Sequence, residues 1–168
     1  HAFDLASVPD EQRWRYGYHA FGQGVLMARR LVERGVPFIS VHQDIFKHYG
    51  HAYDMHQNNF SMLKDFNLPL LDQVIPALLH DLDQSGLLDS TLVVVMGEMG
   101  RTPKINPLDG RDHWPSGFSC IVGGGGLKGD TIIGETDPTG KEKDPTEPVR
   151  IQDLYATILQ KLQIDFTK

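Results

Sequence analysis

The run from Thr91 to Met96 constrains the fold more than any other segment of the chain. Every residue after the threonine is apolar, in the order Leu-Val-Val-Val-Met. Hydrophobicity that is continuous rather than alternating predicts a strand buried on both faces, which is typical of a parallel strand held between layers of helices. A polar segment, Gly97 to Ser116, follows immediately. In folds of this kind, ligands bind just beyond the carboxyl ends of the strands.

Helical patterns lie on both sides of this strand. Pro9 to Gly35 is predicted to form one long helix, with acidic residues near its start, arginines near its end and a glycine as its stop. A second amphipathic helix is predicted from Asn58 to about Gly86, kinked or divided by Pro69 and Pro76. Ile151 to Leu162 is predicted to close the chain as a third helix.

Three shorter apolar segments are predicted to add strands. Pro37 to Val41 is one, and Phe118 to Val122 and Thr131 to Ile133 are two more, joined by a glycine-rich connection that suggests a hairpin. Cys120 lies in the second of these segments and is predicted to be a buried thiol. The order helix, strand, helix, three strands, helix predicts an α/β layer structure with a largely parallel or mixed sheet in one domain.

Charge and hydropathy argue against a nucleic-acid partner and against a membrane-spanning helix. The net charge is -6 and the basic residues are scattered, whereas nucleic acid is bound through clustered lysines and arginines. No apolar run approaches the roughly 20 residues that a membrane-spanning helix needs. We therefore expect neither a nucleic-acid partner nor a membrane span.

The segment before the second predicted helix carries a possible metal-binding pair. Asp54 and His56 lie two residues apart, so both can point the same way from an extended or turn segment. Imidazole and carboxylate together are ordinary ligands of zinc, manganese or iron. A capped turn before Asn58 is the alternative interpretation. The other histidines of this segment are interpreted as surface residues or as supports of the ligands: His42, His48 and His51.

The polar segment after the apolar strand offers further candidates. An ionised carboxylate at Glu98 is costly unless it is compensated, so it either pairs with Arg101 or holds a metal while Arg101 binds an anionic substrate group. Asp112 is either a ligand or a partner that fixes the imidazole tautomer of His113. No pattern of an activated nucleophile is found, so a metal-bound water or a group outside these residues would have to attack.

Three motifs resemble a known family. Thr91 to Pro103 (TLVVVMGEMGRTP), Gly110 to Pro115 (GRDHWP) and Gly124 to Gly129 (GGGLKG) occur in the order found in the C-terminal half of a bacterial sulfatase-like family of unknown function. That family is placed in the alkaline phosphatase and sulfatase superfamily. The resemblance implies an alkaline-phosphatase-like, three-layer α/β/α sandwich, with residues 1–168 as the C-terminal part of one such domain.

The resemblance also implies a metal site. Asp54 and His56 stand where an Asp and a His commonly bind one metal, and His113 stands where a later His completes that shell. Glu98 follows a strand that in better-known relatives ends in an Asp-His pair, a departure that puts a second metal site in doubt. The predicted ligands of a divalent ion (zinc, manganese, calcium or magnesium) are Asp54, His56, Glu98, Asp112 and His113, and Arg101 is the predicted catalytic residue.

The function expected from these residues and this resemblance is metal-dependent hydrolysis of small phosphate or sulfate esters. By resemblance, the nucleophile belongs to an N-terminal half outside these residues, and the parent protein is periplasmic or exposed at the cell surface. Either that missing half or a second copy of the chain is expected to cover the open edge of the sheet. The alternatives are a non-catalytic exported binding or structural protein that keeps the fold, and a subunit of a larger assembly.

Overall fold

The computed structural model describes residues 2–43, 52–141 and 144–167. Within them, helices and short strands are mixed. The named elements in chain order are α1 (Asp10–Arg15), α2 (Ala20–Val32), α3 (Asn59–Met62), a π-helical turn (Leu63–Asn67), α4 (Leu68–Gln84), β1 (Leu92–Met96), β2 (Gly100–Arg101), β3 (His113–Trp114), β4 (Cys120–Gly124) and α5 (Ile151–Lys161).

The single long helix predicted for residues 9–35 is wrong, because the chain breaks between α1 and α2. Gly17 adopts a φ of 79°, in the left-handed region that glycine enters without steric cost. His19 then begins α2, and its Nδ1 accepts a hydrogen bond from the amide of Gly22 at 3.1 Å. A Cβ at Gly22 would lie 1.8 Å from the carbonyl oxygen of Tyr16, so this glycine also permits the close approach of the two helices.

The second predicted helix is confirmed in position and is divided as its prolines suggested. It consists of α3, the π-helical turn and α4, which follow one another without a gap. Pro69 lies in the first turn of α4, where its missing N–H is not needed, and Pro76 lies inside the helix. The closing helix is also confirmed, as α5, and the Asp153 carboxylate caps its N-terminus by accepting a hydrogen bond from the Arg150 amide at 3.2 Å.

The largest cluster of buried side chains lies where the first two helices meet α4. Its members are Val8, Tyr16, Val25, Leu26 and Val74, and Tyr16, Leu26 and Val74 have no exposed surface. Burial of this apolar area is the main force that holds the helical part together.

A buried charge accompanies this core. Asp81 on α4 is 6% exposed. Its carboxylate accepts a hydrogen bond from the Tyr16 hydroxyl at 3.0 Å and pairs with Arg15 at 2.8 Å. Burial, together with the charge of Asp81, raises the pKa of the Tyr16 phenol well above its usual range. These contacts fix α1 on α4.

The predicted three-layer sandwich with a largely parallel or mixed sheet is not found in the described residues, whose named strands form two short antiparallel pairs. β1 pairs with β4, from Leu92 opposite Gly124 to Met96 opposite Cys120. β2 pairs with β3. Continuous hydrophobicity in β1 predicted burial on both faces, but the strand is mostly half-buried and Met96 is exposed.

Three other local predictions are corrected by the structure. Residues 37–41 and 131–133 form no strand, so the predicted hairpin after the glycine-rich segment is absent from the described part of the chain. Cys120 is exposed rather than buried, because it ends a two-stranded sheet in which β1 is the strand that pairs with β4 among the described residues.

Much apolar surface stays uncovered. The accessible surface is 11777 Å², whereas a compact monomer of this mass exposes about 8,300 Å². Ile121 on β4 and Ile132 beyond it are 64% and 94% exposed. None of the helices in the described ranges is long and apolar enough to cross a membrane.

Candidate metal centre

Asp54, His56 and His113 converge on one point of the surface. The Oδ1 atom of Asp54 lies 3.1 Å from the Nε2 atom of His56 and 2.9 Å from the Nε2 atom of His113. The two Nε2 atoms are 3.2 Å apart. One oxygen and two imidazole nitrogens therefore form a nearly equilateral triangle, which is a donor set that can hold a metal ion.

The size of this triangle suits a small divalent ion. A zinc ion with tetrahedral angles and bonds of about 2.0–2.1 Å separates its ligands by about 3.4 Å. The three separations here, 2.9 to 3.2 Å, fall short by a few tenths of an ångström. Small side-chain rotations would close that difference. A three-ligand site that leaves a fourth position open is the pattern of catalytic rather than structural zinc.

Two loops bring the ligands together. Asp54 and His56 lie just before α3, and His113 lies in β3. Three backbone hydrogen bonds tie the segments: Arg111 N to Met55 O at 3.0 Å, Asn58 N to Leu108 O at 3.0 Å and Asn59 N to Asp109 O at 2.9 Å. Gly110 sits at the closest approach, where a Cβ would lie 2.0 Å from the carbonyl carbon and oxygen of His56.

Asp112 supports one of the imidazoles. Its Oδ1 lies 2.8 Å from the Nδ1 of His56, and this hydrogen bond is the first cause that lowers the pKa of the Asp112 carboxyl. With the proton on Nδ1, the Nε2 lone pair of His56 is free to face the centre. Asn106 donates to the same Asp112 oxygen at 3.2 Å and to the His56 carbonyl at 2.9 Å. The structure thus places Asp112 behind the triad, and its role as a direct ligand stays a prediction.

Arg101 joins two of the predicted carboxylates. Its Nη1 donates to Asp54 Oδ1 at 2.6 Å and its Nη2 donates to Glu98 Oε1 at 2.7 Å. Hydrogen bonds from His113 and then from Arg101 lower the pKa of Asp54 to about 2. Glu98 is not among the converging donors, so its role as a metal ligand also stays a prediction.

The centre is open to solvent. The side chains of its three members are between 46% and 48% exposed. Asp54 and His56 also border a shallow depression of about 120 Å³, with Gln57 and Leu108 on its other side. A small molecule could reach the triad from this direction.

Of the remaining histidines in the predicted cluster, the structure describes His42, which lies outside the triad. The Nε2 of His42 lies 3.0 Å from the Ser40 hydroxyl. His48 and His51 lie outside the described residues.

Two supporting residues were missed by sequence reasoning, Asn106 and Gly110. The dipeptides Asn106-Pro107 and Asp109-Gly110 are turn signals that could have found them. The Asn106 side-chain oxygen accepts hydrogen bonds from the amides of Leu108 and Gly110 at 2.9 and 3.0 Å, which closes this turn.

Comparison with protein families gives one match, which spans residues 1–168. The matching family is described as "Protein of unknown function (DUF1501)". The chain belongs to this family. No curated protein and no solved structure matches the chain.

Membership in DUF1501 corrects the resemblance drawn from the three motifs. The match covers the whole sequence and no sulfatase family matches, so the assignment to a sulfatase-like family of the alkaline phosphatase superfamily is wrong. The motifs are those of a DUF1501 chain. The expected export to the periplasm or cell surface stays a prediction, without the support that the resemblance gave it.

Proposed function

We propose that this DUF1501 chain binds a divalent metal ion through Asp54, His56 and His113 and acts in the metal-dependent hydrolysis of small phosphate or sulfate esters. The observation that carries the proposal is the convergence of three donor atoms from two loops, at separations of 2.9 to 3.2 Å. Two of these residues come from one loop and the third lies 57 positions further along the chain, so adjacency in sequence does not explain the cluster.

The donor chemistry favours a transition metal. Two imidazole nitrogens and one carboxylate oxygen suit zinc, manganese or iron, whereas calcium and magnesium prefer shells made of oxygen. Zinc is the first ion to test because it accepts three such ligands at tetrahedral angles. Calcium and magnesium, both included in the prediction from sequence, are disfavoured by the second imidazole.

The surrounding residues have separate tasks in this proposal. A bound divalent ion would supply Lewis acidity toward an ester oxygen and would lower the pKa of a water molecule. Asp112 holds the ring of His56 in one orientation through Nδ1. Arg101 holds the carboxylate of Asp54 beside His113, and it is only 14% exposed, so the contact is sheltered.

A non-catalytic metal-binding protein is the second candidate, and one observation favours it. Both carboxylates beside Arg101 are already bound by its guanidinium, as expected for structural ion pairs. In this case the ion pairs of Arg101 and the metal hold together the segments that carry the triad, and no substrate is turned over. The two candidates share the metal site and differ in turnover.

Zinc titration of single variants tests the shared part. We expect His56→Ala and His113→Ala each to weaken zinc binding by about 100-fold or more, because each removes one of three ligands. His80→Ala is the matched control, since His80 is an exposed histidine on α4. Wild-type affinity in both triad variants would refute the metal site.

Turnover then separates the candidates. The zinc-loaded chain should release 4-nitrophenolate from 4-nitrophenyl phosphate or 4-nitrophenyl sulfate, and the rate should fall with zinc affinity across the variants. Tight zinc binding without hydrolysis of either ester would favour the non-catalytic candidate.

A further inference from the structure

A cationic cleft lies beside the proposed metal centre. It has a volume of about 280 Å³, and its lining, as far as the structure describes it, includes two arginines, Arg101 and Arg111, and no aspartate or glutamate. A concave surface lined by two guanidiniums and by no carboxylate attracts anions. Its size is just below the range of about 300–1,000 Å³ that is usual for small-molecule sites, so a small ligand fits it better than a polymer.

Arg111 differs from Arg101 in having no acidic partner within residues 2–43, 52–141 and 144–167. Among the residues that the structure describes, no carboxylate lies within ion-pair distance of its guanidinium, and its Nε–H is buried without a hydrogen-bond acceptor. A buried donor left unsatisfied is unfavourable, and an acceptor from a ligand would satisfy it. Arg111 is also held in place, since its Cζ lies 5.4 Å from the centre of the Phe60 ring.

The rest of the lining suits an oxyanion. Ser119 and Thr136 contribute hydroxyl groups, and Trp114 contributes a large flat side chain. Three glycines also belong to the lining: Gly97, Gly100 and Gly117. Hydroxyl groups and an indole N–H are donors to the oxygens of phosphate or sulfate.

The cleft and the metal centre share a wall. Arg101 lines the cleft and donates to Asp54, and in the pairing of β2 with β3 it lies opposite His113. Trp114 follows His113 directly, and Arg111 precedes Asp112, which supports His56. A ligand in the cleft would therefore lie next to the residues that hold the triad.

We infer that this cleft is the oxyanion subsite of the centre, with Arg111 as the residue that binds the phosphate or sulfate group of a small monoester. The inference rests on the proposed function for its link to the metal. It reassigns the anion-binding role that the sequence gave to Arg101, because the guanidinium of Arg101 is already bound to two carboxylates and that of Arg111 is bound to none in the described ranges.

Inorganic phosphate and inorganic sulfate are the probes, titrated calorimetrically into the zinc-loaded and the zinc-free chain. We expect Arg111→Gln to weaken binding of the preferred anion at least tenfold, and Arg111→Lys to retain part of the affinity because it keeps the charge and loses the planar fork. Arg34→Gln is the control, since it removes one positive charge from an exposed position near the end of α2. It should change the affinity less than twofold.

The fold and the zinc affinity of each variant are measured in parallel by circular dichroism and by zinc titration. Anion binding that persists in folded Arg111→Gln, or that is absent from the wild-type chain, overturns the inference, even if zinc binds. Loss of anion binding in Arg111→Gln with zinc affinity unchanged supports it. If zinc fails to bind and the Arg111 dependence remains, the anion subsite stands and the proposed metal-dependent function fails.

Discussion

Gly110→Ala should damage the metal centre without touching any of its ligands. A Cβ at this position would lie 2.0 Å from the carbonyl carbon and oxygen of His56 and 2.4 Å from the amide nitrogen of Gln57. Ordinary contact begins at 3.4 Å, so the two backbones would have to separate by about 1.4 Å. Since the atoms in the way are backbone, no side chain can rotate to make room.

This separation of the two backbone segments would displace the metal ligands, because hydrogen bonds join the segments that carry them. It would strain the hydrogen bond from Arg111 N to Met55 O, now 3.0 Å, and would carry His56 away from His113. Nitrogen and oxygen ligands of zinc must lie within about 0.2 Å of their ordinary distances, so a shift of this size should lower zinc affinity by about tenfold to 100-fold. Overpacking of this kind also destabilises a fold by about 1–3 kcal/mol.

The assay is zinc titration by isothermal calorimetry, together with urea unfolding of the same samples. Gly129→Ala is the matched control, because a Cβ at Gly129 would meet nothing within 4 Å. It should leave both quantities unchanged. If Gly110→Ala bound zinc as tightly as the wild-type chain, the packing of the two loops against each other would not be what positions His56.

Three further predictions concern stability and assembly. Leu26→Ala, at a side chain with no exposed surface, should lower the free energy of unfolding by about 2–5 kcal/mol, measured by urea denaturation; a loss below 1 kcal/mol would contradict the described core. Because the pKa of Tyr16 is raised by burial, its contribution to stability is complete below the unfolded pKa of about 10 and is lost as pH rises through the higher folded value. Unfolding midpoints between pH 9 and 11 should therefore fall more steeply for the wild-type chain than for Tyr16→Phe, and equal slopes would refute this. The surplus accessible surface of about 3,400 Å² is as large as that of obligate interfaces, so the 168-residue chain alone should self-associate. Sedimentation velocity showing a compact monomer would contradict that expectation.

The spacing of apolar residues predicted α4 and α5 well, because the apolar face of a helix is formed by residues that are close in sequence. The residues of α5 carry their own pattern and their own cap, and the structure places the helix within one residue of the predicted bounds. The break between α1 and α2 at Gly17 could not be predicted from this spacing. A glycine inside a helical pattern only weakens the helix, and the turn here also depends on Gln23, whose side chain donates to the Gly17 carbonyl at 2.8 Å.

Strand direction could not be derived from hydrophobicity. Continuous apolar residues in β1 report how much of the strand could be buried, and they carry no information on which segment pairs with it or in which sense. The partner, β4, lies more than twenty residues further along the chain and was itself predicted to pair with a segment after it. A single sequence does not determine such a long-range choice.

At the candidate site, the sequence indicated which residue types would meet, and the geometry decided their partners. Asp54, His56 and His113 are brought together, as their chemistry suggested. Whether Glu98 would pair with Arg101 or face a metal was left open by the sequence, and the structure shows the pair. Arg101 and Arg111 are the same residue type in the same polar segment, so the sequence could not tell them apart. Only the contacts show that Arg101 is paired with two carboxylates and that Arg111 has no acidic partner in the part of the chain that the structure describes.

Charge links the two proposed ligands of this site. Three carboxylates and two guanidiniums leave the cluster with one net negative charge while its imidazoles are neutral: Asp54, Glu98, Asp112, Arg101 and Arg111. A divalent cation would reverse that sign. Because this reversal strengthens the attraction of the cleft for an anion, metal and oxyanion should bind with positive coupling, and each should strengthen the other by the same factor. Phosphate affinity that did not change when zinc was added would show that the cleft and the triad are independent sites, although they share Arg101 as a wall.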